Sequence, residues 1–154
     1  MNTSSAGIRN LLFDLGGVII NLDRQRCVDA LTALGDEKAD EMLSLSVQRG
    51  TLMDLEEGKI SPSDFFKRMR QKIGKAVSDE EIVHALNELL IGIPLDRLTL
   101  LRKLRQRFNV MMLSNTNPIM FDTKIAECFA QEGLSITDYF DDVYLSYRLK
   151  SCKP

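Results

Sequence analysis

The 154-residue chain contains few cysteines, namely Cys27, Cys128 and Cys152, and they lie far apart in the sequence. An odd number of widely spaced cysteines fits neither a disulfide framework nor a cysteine-based metal site. We therefore expect three reduced thiols and a cytoplasmic protein.

The chain also lacks an excess of charge of one sign and a long apolar run. Its 20 basic and 22 acidic residues give a net charge of -2, whereas a general nucleic-acid binder needs a basic excess to displace counterions. The longest apolar stretch, residues 11–20, is interrupted by Asp14 and two glycines and is too short to span a membrane. Residues 1–10 have no apolar signal core. From these absences we predict that the protein binds neither nucleic acid nor a membrane.

What the chain does contain is enough apolar sequence for a folded domain, with 44% hydrophobic and 27% charged residues. Three short apolar runs lack the alternation of a half-exposed strand. Such runs are typical of parallel strands that helices cover on both faces. They lie at residues 11–13, 110–113 and 143–145.

Most of the remaining chain carries helix signals, including capping boxes at residues 61–64 and 78–81. Helices are predicted at residues 24–34, 36–49, 62–73 and 79–90, and two more open at Pro94 and Pro118. A crossover between parallel strands needs only one helix. We therefore predict a core formed by residues 1–22 and 92–154, with a helical cap, residues 23–91, inserted between them. Residues 56–59 are predicted to form a turn between cap helices, and a cap residue in this turn could reach a site in the core.

Polar side chains follow each of the three apolar runs. Asp14 follows the first, Ser114 and Asn115 follow the second, and Lys153 comes shortly after the third. The carboxyl ends of parallel strands meet at one edge, where ligands bind. There a carboxylate can attack phosphorus and form an aspartyl-phosphate, a hydroxyl with nearby amides can hold phosphate oxygens, and a lysine can neutralise charge. Phosphoryl transfer of this kind usually uses Mg2+.

The same motifs resemble those of the haloacid-dehalogenase-like (HAD) hydrolase superfamily. Residues 13–19, FDLGGVI, resemble its first motif in the Asp-Leu-Gly phosphatase branch. Residues 113–117, LSNTN, resemble the second motif, and Lys153-Pro154 resembles the third. The resemblance implies an α/β fold, with a Rossmann-like three-layer core around a parallel sheet and an inserted α-helical bundle as cap.

The resemblance also implies a role for each site residue. Asp14 would be the nucleophile and Lys153 the charge-stabilising lysine. Ser114 would hold the phosphate, with Asn115 beside it in the substrate-binding set. Asp14 and the carbonyl group of Gly16 would bind Mg2+. The implied function is a phosphatase that acts on a small phosphorylated metabolite.

Two departures from the family pattern affect this prediction. Gly16 stands where the usual first motif has a second aspartate, the general acid and base, and general acid catalysis is worth ~10²–10⁴-fold in rate. The family's fourth motif, an acidic pair that completes the Mg2+ site, is also missing. The pair Asp141-Asp142 precedes its apolar run and is therefore predicted at the opposite edge of the sheet. We thus expect a C-terminally shortened chain with weak or no activity, in which the first strand is an exposed edge prone to self-association.

Other functions remain open at this point. The missing acids are also compatible with a catalytically dead fragment or a binding protein. Dehalogenase chemistry is the nearest enzymatic alternative, because the superfamily also attacks carbon–halogen bonds with this aspartate. A phospho-receiver domain fits poorly, since receivers have no large helical insert.

Overall fold

The structure is a computed structural model that describes residues 7–44 and 50–154. Along the chain its elements are β1 (Asn10–Phe13), β2 (Asn21–Leu22), α1 (Arg24–Leu34), α2 (Ala39–Met42), α3 (Thr51–Glu56), α4 (Pro62–Ile73), α5 (Asp79–Asn87), β3 (Leu90–Gly92), α6 (Leu95–Arg105), β4 (Asn109–Ser114), α7 (Pro118–Met120), a π-helical turn (Phe121–Ile125), α8 (Ala126–Phe129), a 3-10 turn (Ala130–Glu132), α9 (Ile136–Tyr139), β5 (Asp142–Leu145) and α10 (Ser146–Leu149). Within the described ranges, no helix is long and apolar enough to cross a membrane.

The three apolar runs form a parallel sheet with the strand order β1-β4-β5, as predicted. Phe13 pairs with Met112, and Ser114 pairs with Leu145, so the strands end at a common edge. Val110 and Met112 of β4 are fully buried, as the central position of this strand requires. The sheet therefore places the residues that follow β1, β4 and β5 close to one another.

Strand β1 forms one edge of this sheet. It pairs with β4 on one side, and no strand in the described part of the chain pairs with its other side. The side chain of Leu12 in this strand is 56% exposed. The prediction that the first strand would be an exposed edge is therefore confirmed for the described residues.

The inserted helices α1–α5 lie between two short strands that pair with each other. Strands β2 and β3 form an antiparallel ribbon in which Asn21 lies opposite Gly92 and Leu22 lies opposite Leu90. Both predicted capping boxes are present at the starts of α4 and α5, and Gly35 ends α1 with a left-handed φ of 114°. The ribbon thus closes the insertion where the chain leaves and re-enters the core.

Some of the predicted helix bounds are wrong. The helix predicted to reach Leu90 ends at Asn87, and Leu90 begins β3. Leu90 is buried in the ribbon. In the sequence, a buried leucine at this position fits the apolar face of a helix as well as it fits a strand, so the pattern does not distinguish the two. Of the helix predicted at residues 36–49, the structure shows Ala39–Met42, and residues 45–49 lie outside the described part.

Short helical turns are a second difference between prediction and structure. Helices α3, α9 and α10, of four to six residues, have too few turns to show a periodic pattern. The helix predicted to open at Pro118 and close at Gly133 is helical throughout, but a π-helical turn and a 3-10 turn interrupt it.

The cap contacts the core through residues 56–59, which we call the cap turn. Gly58 in this turn has a left-handed φ of 65°, and a Cβ atom there would collide with the carbonyl oxygen of Tyr147 in α10. On another side of the cap, the Asn87 side chain donates a hydrogen bond to the Thr123 hydroxyl over 3.0 Å. The cap turn therefore approaches the core backbone too closely for any residue but glycine.

We predict that Gly58→Ala destabilises the protein by more than Gly74→Ala. Both glycines have a similar left-handed φ, 65° and 70°, but a Cβ atom at Gly74 meets nothing within 4 Å. Left-handed strain alone costs about 1–2 kcal/mol, so Gly74→Ala should cost about that much and Gly58→Ala clearly more. Urea unfolding of both variants measures the difference. Equal losses would show that the cap turn can withdraw from Tyr147 without cost.

Candidate active site

The site predicted at the carboxyl end of the sheet contains an ion pair between Asp14 and Lys153. The Nζ atom of Lys153 lies 2.8 Å from Oδ1 of Asp14, and it also donates a hydrogen bond to the carbonyl oxygen of Leu113 over 3.0 Å. The Asp14 side chain is 47% exposed and that of Lys153 is 27% exposed. The structure thus brings these two predicted residues into contact at a solvent-accessible position.

The side chain of Asn115 holds the backbone of Lys153. Its Oδ1 atom accepts a hydrogen bond from the Lys153 N–H over 2.8 Å, and its Nδ2 atom donates to the Lys153 carbonyl oxygen over 3.3 Å. Both polar atoms of the Asn115 amide are therefore bonded to the chain itself. This arrangement positions Lys153, which sequence reasoning did not foresee for a residue assigned to substrate binding.

Ser114 is the last residue of β4 and is almost fully buried. Its hydroxyl donates a long hydrogen bond, 3.3 Å, to the carbonyl oxygen of Asn115. Because Phe13 pairs with Met112, Asp14 lies opposite Leu113, and Ser114 is one residue further along β4. The hydroxyl is thus placed at the same end of the sheet as the carboxylate.

Ser146 fixes the loop that follows Ser114, and sequence reasoning missed it. Its hydroxyl accepts a hydrogen bond from the Thr116 N–H and donates one to the Thr116 carbonyl oxygen, each over 3.0 Å. The residue is only 1% exposed. A hydroxyl directly after the third apolar run was the available signal. Ser146 joins the end of β5 to the loop after β4.

The loop after Asp14 leaves two oxygen atoms free. The Leu15 N–H donates to Oδ1 of Asp14 over 2.7 Å, and the Leu15 carbonyl oxygen accepts the N–H groups of residues 18–20. Among the described residues, neither Oδ2 of Asp14 nor the carbonyl oxygen of Gly16 has a hydrogen-bond partner. On the far side of the loop, Arg97 donates to the Ile19 carbonyl oxygen over 2.9 Å.

These two oxygens suit a magnesium ion, which prefers oxygen ligands. They make up only part of the six positions that Mg2+ fills. In residues 7–44 and 50–154, no group of three or more His, Cys, Asp or Glu side chains could hold a metal. The donor set therefore fits Mg2+ with water and phosphate as further ligands.

The acidic pair Asp141-Asp142 lies at the opposite edge of the sheet, as predicted. Asp142 is the first residue of β5. Asp141 accepts a hydrogen bond from the Val110 N–H over 2.8 Å and pairs with Arg105 over 2.8 Å. The Val110 N–H first, and then Arg105, lower the pKa of Asp141. This carboxylate has a structural role away from the site.

Glu56 is a second residue that sequence reasoning did not single out. It ends α3 at the start of the cap turn, and burial raises its pKa to about 7. It has no hydrogen-bond or ion-pair partner in the described part of the chain. The charges of Glu56 and Glu57 help to raise the pKa of Cys152, after burial as the main cause. The cap turn therefore lies beside the residue that precedes Lys153.

Comparison with known proteins agrees with this geometry. No family model matches the chain. The chain is 37% identical over 147 residues to a D-ribitol-5-phosphate phosphatase from Bacteroides thetaiotaomicron, covering 96% of this chain and 71% of that protein. The chain belongs to the HAD family of hydrolases. The resemblance of its three motifs to this family is thereby confirmed.

Solved structures support the same family. The HAD-like hydrolase superposes with a TM-score of 0.89 on a wild-type HAD family enzyme from Bacteroides thetaiotaomicron in complex with magnesium and inorganic phosphate, at 42% identity over 96% of this chain and 73% of that one. A predicted HAD-like family hydrolase from Porphyromonas gingivalis gives a TM-score of 0.87 at 33% identity, over 96% of this chain and 70% of that one. The predicted α/β fold is confirmed.

We predict that Ser146→Ala lowers the free energy of unfolding by about 1–3 kcal/mol, because it leaves the buried N–H and carbonyl groups of Thr116 unpaired. Ser151→Ala is the matched control, since Ser151 is exposed and only its backbone N–H bonds to the chain. Chemical unfolding measures both variants. If Ser146→Ala were as stable as Ser151→Ala, Ser146 would not hold the loop after β4.

Proposed function

We propose that this HAD-like hydrolase is a Mg2+-dependent phosphatase that acts on a small phosphorylated metabolite. The observation that carries the proposal is the Lys153–Asp14 ion pair, 2.8 Å long, at the carboxyl end of the parallel sheet. The phosphatase name of one relative and the magnesium and phosphate bound to another support it.

In the proposed reaction Asp14 is the nucleophile. Its Oδ1 atom is held by the Leu15 N–H and by Lys153, which leaves Oδ2 free to attack phosphorus. An Oδ2–P bond forms and the bond between phosphorus and the leaving-group oxygen breaks, giving an aspartyl-phosphate. Water then attacks this phosphorus, releases inorganic phosphate and restores the carboxylate.

The remaining site residues hold and balance the phosphate. We propose that the Ser114 hydroxyl turns from the Asn115 carbonyl oxygen to a phosphate oxygen, because its present hydrogen bond is long. Lys153 supplies the positive charge beside the transferring group. We propose that Asn115 contributes to substrate binding by fixing Lys153, since both of its polar side-chain atoms bond to that residue.

Asp14 and the Gly16 carbonyl oxygen would hold Mg2+. When bound there, the ion neutralises charge on the transferring phosphoryl group. The free Gly16 carbonyl oxygen supports this assignment. Phosphate and water would complete the ligand shell.

We propose that the substrate is a phosphorylated polyol or sugar, because one relative is a D-ribitol-5-phosphate phosphatase. We further propose that residues 23–91 form a cap that limits which substrates enter, and that residues 1–22 and 92–154 form the core. The ribbon of β2 and β3, which closes the insertion, supports these bounds. The three free cysteines support a cytoplasmic, reducing location.

We predict that the 154-residue chain releases phosphate slowly and that Asp14→Asn abolishes this release. Turnover should be slow because, within the described residues, no cluster of three or more metal-binding side chains supports Asp14 and Gly16, so the metal is held weakly. Asp142→Asn is the matched control, since Asp142 is exposed at the opposite edge of the sheet, and it should keep the wild-type rate. Phosphate release with excess Mg2+, together with fluorine NMR of a beryllium fluoride adduct on Asp14, measures the effect.

Two results would contradict this proposal. An active Asp14→Asn protein would show that Asp14 is not the nucleophile. A wild-type chain with neither turnover nor an adduct would favour a binding role. Rapid turnover that Asp14→Asn abolishes would instead show that a further acidic pair is dispensable.

We also propose that the chain self-associates through the unpaired edge of β1. We predict that Leu12→Lys lowers the association, because a lysine on an edge strand opposes pairing with a second strand. Leu100→Lys is the control, since Leu100 on α6 is similarly exposed, 53% against 56%. Sedimentation velocity across a concentration series measures the effect. A monomeric wild-type chain, or equal loss in both variants, would contradict the proposal.

A further inference from the structure

We propose that Glu56, a cap residue, is the general acid that protonates the leaving-group oxygen. This inference rests on the proposed phosphatase function. It assigns to the cap the proton transfer that Gly16, which has no side chain, cannot perform in the core.

The first argument is position. The cap turn is fixed against the core because Gly58 lies directly on the carbonyl group of Tyr147. The charge of Glu56 acts on Cys152, the neighbour of Lys153, and Lys153 contacts Asp14. A carboxyl group at the start of this turn therefore lies on the side of the core where substrate must meet Asp14.

The second argument is that Glu56 has no structural partner. Other buried or half-buried acids of the cap are bound, such as Asp54 to Arg68 over 2.9 Å and Asp36 to Lys72 over 2.8 Å, and Glu57 pairs with Lys59. No hydrogen bond or ion pair to Glu56 exists within residues 7–44 and 50–154. The Glu56 side chain is half-buried, and withdrawing a carboxyl group from water without a partner costs free energy, so its presence next to the site indicates a function.

The third argument is the protonation state of the Glu56 carboxyl group. Burial raises the pKa of Glu56 to about 7, and no neighbouring charge contributes. The charge of Glu56 acts on Cys152 of the core, and the charged residues next to it in its own turn are Glu57 and Lys59. A carboxyl group with such a pKa retains a proton near neutral pH and can donate it, as a general acid must.

The step balances without a further reactant. As Oδ2 of Asp14 bonds to phosphorus, the electron pair of the breaking P–O bond moves to the leaving-group oxygen, which takes the proton of the Glu56 carboxyl group. Glu56 is then a carboxylate. In the second half, it accepts a proton from the water that attacks the aspartyl-phosphate.

The test compares Glu56→Gln with Glu57→Gln on two substrates. An alkyl phosphate such as ribitol 5-phosphate needs a protonated leaving group, whereas 4-nitrophenyl phosphate has a stable leaving anion. For Glu56→Gln we expect kcat/KM to fall by about 10²–10⁴ on the alkyl ester and by no more than about threefold on the aryl ester. Glu57→Gln should leave both unchanged. The wild-type rate on the alkyl ester should fall as the pH rises through 7, and Glu56→Gln should lose this dependence.

Several outcomes would overturn the inference. Equal losses on both substrates would indicate that Glu56 only maintains the structure. A leaving-group effect in Asp122→Asn instead of Glu56→Gln would move the role to that exposed acid of the π-helical turn. Aryl phosphate turnover that Asp14→Asn abolishes secures the proposed function independently, so a failure of Glu56 alone is recognisable.

If turnover is too slow to measure, carbon NMR of labelled Glu carboxyl groups in the Asp14→Asn protein tests whether Glu56 lies at the phosphate site. Inorganic phosphate with Mg2+ is the probe. We expect phosphate to raise the titration midpoint of Glu56, because a nearby anion favours the protonated acid. An unchanged midpoint, with phosphate binding shown by phosphorus NMR, would place Glu56 outside the site.

Discussion

The site depends on one contact, the docking of the segment that carries Lys153 against the loop that follows β4. Asn115 holds the backbone of Lys153 by both polar atoms of its side chain, and the Lys153 ammonium group reaches Asp14 and the Leu113 carbonyl oxygen. Without this contact, the lysine would be one solvated side chain among many. Since an isolated, partly exposed ion pair contributes little stability, the hydrogen bonds of Asn115 are what keep the charge in place.

Ser146 and the cap turn support the same docking from two further directions. Ser146 joins β5 to the loop after β4 through Thr116. Gly58 lets the cap turn lie on Tyr147, in the helix that leads to the Lys153 segment. The position of the cap is therefore coupled to the position of Lys153 through the backbone that follows Tyr147. A movement of the cap would shift Lys153, because only a short stretch of backbone separates it from Tyr147.

Gly16 offers the site a carbonyl oxygen but no acid for proton transfer. Its carbonyl oxygen remains free, as a metal ligand must be, but it brings no carboxyl group. A side chain there would meet Leu22 of the ribbon at 3.2 Å. The loop thus packs closely against the start of the cap, and an acid for proton transfer has to come from another element. Glu56 is half-buried in the cap turn that packs on Tyr147 and has no partner among the described residues, which is why the cap becomes part of the proposed chemistry.

Apolar runs, capping boxes and polar strand ends are local signals, so the three strands, the inserted helices and the placement of Asp14, Ser114 and Lys153 at one end of the sheet could be predicted from the sequence. It did not determine the ribbon at Leu90, since burial looks the same in a helix and in a strand. Nor did it assign Asn115 to Lys153, Ser146 to Thr116, or Glu56 to a half-buried position beside Cys152. Those pairings join residues far apart in the chain, and only the packing of the cap and the β5 end onto the sheet decides them.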